Sequence, residues 1–173
     1  MREEANLLRS QQKASVWPYL DVTASFSLAD PISLSYRVEN KGVGPALIKK
    51  VRFLNNGEEL SAADVSKLIV SVLEPLDSTS EEKRNIMTAM KDNIVLSSGE
   101  EMFLLRVEAS GSKRNQKALA TFFRSNTFSI CYASIYGDHW EVEKGKTPIE
   151  VAECSGEPVF STKKAKQRAN GIR

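Results

Sequence analysis

The sequence predicts a mainly β domain, with two antiparallel layers packed as a sandwich and two or three inserted helices (α+β overall). Three observations carry this. Apolar and polar side chains alternate over residues 20–28 and 32–39, and residues 101–109 place an apolar row on one side, the period at which a strand shows one face to a core. The strands come in runs, not in regular alternation with helices, which argues against a doubly wound parallel sheet. The 173 residues, 41% apolar and 27% charged, suit one domain with a single core.

Taken in order, residues 2–15 are good helix formers with little beyond Leu7 and Leu8 to pack. A polar lead-in helix or stalk is expected over 1–16, continuing from a segment upstream. Pro18 disfavours helical geometry at Trp17 and ends it. The sandwich is expected over 17–158. Leu20, Val22, Ala24, Phe26 and Leu28 form the first inward row, and Asp30-Pro31 turns the chain. Ile32, Leu34, Tyr36 and Val38 form the second row. In the break that follows, Asn40 tolerates left-handed geometry, Gly42 and Gly44 permit positive φ, and Pro45 sets the exit angle. The strand over 46–54 slips phase at Lys49-Lys50, which predicts a bulge. Asn55-Asn56-Gly57 is a tight turn.

A helical insertion is expected over 61–91. Ser61 and Asp64 make a capping pair, and Val65, Leu68, Ile69, Val72 and Leu73 share one face before Pro75. Thr79 and Glu82 repeat the cap for a second helix carrying Ile86, Met87 and Met90. The strand over 101–109 then puts Phe103, Leu105, Val107 and Ala109 on one side. A helix over 113–124 turns Leu119, Phe122 and Phe123 inward. The strand over 128–136 is apolar on both faces, as a central strand is. Gly137-Asp138 turns into a strand over 139–143, and residues 149–152 add one more. Residues 159–173 read as a flexible basic tail. Within it, 161–173 carries five cations and no acid, so with the whole chain at +2 the remainder stands at −3.

These features exclude several classes. No run of about 18 apolar residues exists to span a membrane, and the polar first fifteen residues are no signal peptide. An acidic body repels phosphate backbones, and the tail has no interleaved aromatics, so nucleic acid is not an expected partner. Gly42-Val43-Gly44 lacks the third glycine of a dinucleotide loop, where Leu47 stands, and the helix that would follow. Cys131 and Cys154, with one histidine, are too few for structural zinc. Cys131 suits a buried inert thiol, or a disulfide with Cys154 in an oxidising compartment. The pairs Glu58-Glu59, Glu81-Glu82 and Glu100-Glu101 point apart and make poor acid–base dyads.

His139 is the only imidazole, the one candidate general base of its kind for a small hydrolase. It shares a strand face with Glu141 and Glu143, expected to be solvated, while Trp140 and Val142 face the core. The aromatics Trp17, Tyr19, Tyr36, Tyr132, Tyr136 and Trp140 read as sandwich packing, with a ligand pocket as the alternative. Lys49, Lys50 and Arg52 near a sheet end suit a small anion such as a nucleotide. No catalytic, cofactor or metal site is expected. The candidate binding residues are Trp17, Tyr19, Lys49, Lys50, Arg52, His139 and Trp140.

Three short blocks carry a resemblance: Trp17-Pro18-Tyr19-Leu20, the Asn40–Ala46 turn with Gly42, Gly44 and Pro45, and Cys131-Tyr132 through Tyr136 to Trp140. Together they resemble the soluble part of a loose group of bacterial membrane-anchored proteins, in which hydrophobic helices precede an Arg/Glu/Gln-rich lead-in. The resemblance implies an immunoglobulin-like sandwich held at a membrane by a segment outside this chain, and carries no catalytic residue. The expected function is therefore a non-catalytic binding, interaction or sensor domain, engaging a protein partner, itself or a small anionic ligand.

Overall fold

The computed structural model describes residues 2–73, 85–86 and 93–156. The basic tail lies outside them, as does the helix expected over 79–90 apart from two residues. The elements are α1 (Arg2–Ser15), β1 (Leu20–Ser27), β2 (Ile32–Asn40), β3 (Ala46–Asn55), β4 (Glu58–Glu59), α2 (Ala62–Leu73), β5 (Asn85–Ile86), β6 (Ile94–Leu96), β7 (Glu101–Ala109), α3 (Lys113–Ser125), β8 (Asn126–Ala133), β9 (His139–Glu143) and β10 (Ile149–Val151). Two antiparallel sheets result. One has the order β1-β2-β7-β5. In the other, β10-β9-β8-β3 is completed by β4 and β6, which both pair with β3. Among the described residues no helix is long and apolar enough to cross a membrane.

The alternation does what period two requires. Leu20, Val22, Leu34, Tyr36 and Val38 leave one sheet and meet Ile48, Phe53, Phe128, Ile130 and Tyr132 from the other. The Phe128 ring lies 5.1 Å from Tyr36 and 5.0 Å from Phe53, centroid to centroid. The helices cap this core. Val65 of α2 and Leu119 and Phe122 of α3 are buried against it. Ser61 caps α2 by accepting from the Asp64 amide, as expected, and Ser112 caps α3 through the Asn115 amide.

Phase errors sit where the backbone departs from regular pleating. Lys49 is the extra residue of a bulge between Ile48 and Lys50, as the slipped alternation predicts. A second bulge was not legible. Tyr36 pairs with Leu105 but Arg37 with Phe103, so Leu104 is inserted. Leu104 and Leu105 are both buried, and Phe103 leaves the expected inward row for the outer face. There it lies beside Arg37, with the Arg106 guanidinium over its ring. β1 stops at Ser27, Leu28 is exposed, and the chain turns through Asp30–Pro31, whose peptide bond is cis. Asn85–Ile86, expected in a helix, is a short strand paired with β7 at the edge of its sheet. β8 ends at Ala133, and the Ser134 amide donating to Asp138 O closes a wider turn than two residues.

Candidate functional site

The motif blocks meet at one end of the sandwich, where α1 enters it. Asn40, fully buried, is the keystone. Its Oδ1 accepts from the amides of Tyr19 and Gly42 at 3.2 and 3.0 Å, and its Nδ2 donates to Gly44 O and Leu96 O at 2.8 and 2.9 Å. Backbone bonds complete the joint. The Val43 and Gly44 amides donate to Trp17 O at 3.0 and 3.3 Å, and the Lys41 amide to Tyr19 O at 2.8 Å. Neither Gly42 nor Gly44 has positive φ, so the expected reason for these glycines is wrong. What they supply is room: a Cβ on Gly44 would stand 1.8 Å from Val16 O, and one on Gly42 2.3 Å from the Tyr19 amide nitrogen.

The third block closes the same joint. Tyr132 Oη accepts from the Leu20 amide at 3.3 Å, and its ring stacks on Trp140 at 5.7 Å. Burial pushes the Tyr132 hydroxyl up to about 12, against a lesser opposing pull from the Leu20 amide. Lys13 near the end of α1 pairs with Asp138 at 2.6 Å. Lys13, Trp17, Ser134, Asp138 and Trp140 line a hollow of about 250 Å³. Trp17 packs edge-on against Tyr19 yet stays 44% exposed, and Val43, Ile135 and Tyr136 are exposed on the loops that form the joint. Of the candidate binding residues, Trp17, Tyr19 and Trp140 are thus brought together. His139, next to Trp140, pairs in register with Ala133 and Val151. Among the described residues no side chain hydrogen-bonds to it, and it does not line the hollow beside Trp140.

Lys49, Lys50 and Arg52 lie elsewhere, on β3. Lys50 pairs with Glu59 at 3.3 Å. Arg52, expected near an accessible sheet end, has a side chain only 1% exposed. Its Nε lies 3.5 Å from Glu59 and its Nη1 3.3 Å from Glu141, while its Nη2 donates to Gly156 O at 3.0 Å. Glu141, expected on a solvated face, is buried as well and accepts from Ser129 Oγ at 2.5 Å. The cause of both corrections is a strap. Cys154 is disulfide-bonded to Cys131, and the chain around it runs over the outer side of the sheet as far as Gly156. The three cations therefore form no shared anion cradle; two of them are engaged by carboxylates. Among the described residues no group of three or more His, Cys, Asp or Glu side chains is placed to hold a metal ion.

Sequence reasoning gave Asn40 a left-handed turn geometry, which it does not have, and misread Gly42 and Gly44; what it missed is the buried side chain of Asn40. The signal was present in the spacing of the two blocks, which read separately as a helix stop and a hairpin turn. The fold and this joint define a two-sheet antiparallel sandwich with a helix built into one end. Comparison with protein-family models, with curated proteins and with solved structures returned no match.

Proposed function

We propose that this chain is the non-catalytic interaction domain of a membrane-anchored protein, exposed to an oxidising compartment. In this reading α1 is the mechanical link between the anchor and the sandwich. The supporting observation is the joint itself: three separated blocks commit a buried asparagine with four side-chain hydrogen bonds, two space-limited glycines and three backbone hydrogen bonds to holding the chain where one polar helix ends. A freely jointed tether needs none of this. A helix clamped at its end transmits the domain's orientation or occupancy to whatever lies before it. Its polar surface, with Leu7 and Leu8 exposed, packs little against the body. The Cys131–Cys154 bond supports the oxidising side, because cytosolic thiols are kept reduced.

The test is fractionation of the full-length gene product in its own cells, with thiol labelling before lysis. The expected result is recovery in membranes, resistance to carbonate washing and no labelling of Cys131 or Cys154 without a reductant. Recovery in the soluble fraction, or two freely labelled thiols, overturns the proposal.

A further inference from the structure

A trough runs between the two inserted helices, away from the α1 joint, with a volume of about 500 Å³. This is within the usual range for small-molecule sites, about 300–1,000 Å³. Its walls are mainly apolar, Leu68 and Val72 of α2 facing Ala118 and Phe122 of α3, with the hydroxyls of Ser71, Thr121 and Ser125 among them. Its length follows from the lining of α3. Residues 114, 117, 118, 121, 122 and 125 recur at helical spacing, so the trough follows three turns, or about 16 Å at 1.5 Å per residue.

Polarity is graded along it. Arg114 and Lys117 stand at the end near the start of α3, where the helix dipole is positive. The apolar walls follow, and Asn55 and Asn126 close the far end, bonded to each other at 2.9 Å. Lys117 is exposed and has no ion-pair partner among the described residues. α3 carries four basic residues and no acid.

We infer that this trough binds a free single-chain carboxylate amphiphile of the fatty-acid class. The carboxylate lies at Lys117, at the end of the trough that Arg114 also lines, and the chain lies between Leu68, Val72, Ala118 and Phe122. A trough that runs about 16 Å along α3 suits an extended alkyl chain better than a compact ring. A cationic end beside apolar walls selects an anionic head over a neutral or cationic one. A protein partner is less suited, because a trough this small supplies too little contact for a specific interface of about 1,000 Å² or more.

Amide NMR of the whole chain, titrated with laurate, dodecanol and dodecylamine below their aggregation concentrations, decides the matter. Laurate is expected to shift amides of residues 68–72 and 114–126, to bind more tightly than dodecanol, and to exceed dodecylamine by more. Lys117→Glu changes an exposed side chain and leaves the core intact. It is expected to weaken laurate about tenfold, one attractive surface charge being replaced by a repulsive one, and to leave dodecanol unchanged. Val72→Gln is expected to weaken laurate and dodecanol alike. Four results each overturn the inference: no shifts with laurate, shifts confined to other parts of the domain, equal binding of laurate and dodecylamine, or laurate binding unaffected by Lys117→Glu.

Discussion

Gly44→Ala tests the joint most directly. The new Cβ would sit 1.8 Å from Val16 O and 2.3 Å from Val16 C, both backbone atoms that no rotamer change can remove. To reach ordinary contact the Val16–Trp17 segment must retreat by more than about 1 Å. The bonds from the Val43 and Gly44 amides to Trp17 O, now 3.0 and 3.3 Å, then pass out of hydrogen-bond range. Two such bonds contribute about 2 kcal/mol together. Alanine offsets some of this, up to about 1 kcal/mol, by restricting the unfolded chain. The net loss is about 1–2 kcal/mol, a fall in Tm of roughly 3–6 °C for a chain of this size. Urea unfolding gives the stability, and hydrogen exchange of the Val43 amide reports the joint locally. Gly145→Ala is the control: it has φ +70° and nothing within 4 Å of the added Cβ, and its amide bonds to Val22 O, away from the joint, so it strains its own turn and leaves Val43 protected. If Gly44→Ala keeps both its stability and the protection of Val43, the glycines are not there for space and the account of the joint fails.

Three further predictions follow from the strap and the buried tyrosines. Glu141→Gln takes the nearer of two carboxylates from the buried Arg52 guanidinium, which keeps Glu59, and should cost about 1–3 kcal/mol. Arg52→Met combined with Glu141→Leu should restore most of that, and a double variant as unstable as the single one in urea refutes the pairing. Cys154→Ser opens a loop with a sequence separation of 23 residues and should lower stability by about 3 kcal/mol; an unchanged urea midpoint would count against the strap. Stability should also fall as pH rises from about 10 to about 12. Unfolded tyrosines release their protons near 10, whereas Tyr132 holds its own up to about 12 and Tyr36, raised by burial, holds its proton beyond the ordinary value too. Over that window the unfolded state binds fewer protons, so each retained proton lowers stability by about 1.4 kcal/mol per pH unit. A flat stability profile from pH 10 to 12 would show that these hydroxyls are not buried in the folded protein.

Strand positions were legible because their cause is local. A residue's side of a pleated strand depends on its parity, and the run from Ile32 to Val38 keeps strict parity. The bulge at Lys49 was legible for the same reason, since two charged residues in succession break the pattern visibly. The bulge at Leu104 was not: with Leu104 and Leu105 both apolar, either phase satisfies the alternation, and only the register against Tyr36 and Arg37 separates them. The cap of α2 was likewise readable from Ser61 and Asp64, three residues apart.

What covers a strand's second face is a different kind of question. Glu141 has the parity of an outward residue and is one, yet it is buried, because a chain segment tied down by Cys154 crosses that face. The joint at Asn40 has the same character. Its local sequence specifies a turn, but the requirement for glycine comes from Val16, 28 residues before Gly44, and Tyr19, 23 before Gly42, brought close by the pairing of β1 with β2. The sequence by itself determined the periodicities, the caps and the turns, since these depend on neighbours in the chain. The tertiary structure decided which outward faces are sealed, which charges are paired and where the separated blocks meet. Burial and close contact are set by atoms from distant segments, and no local pattern of side chains records them.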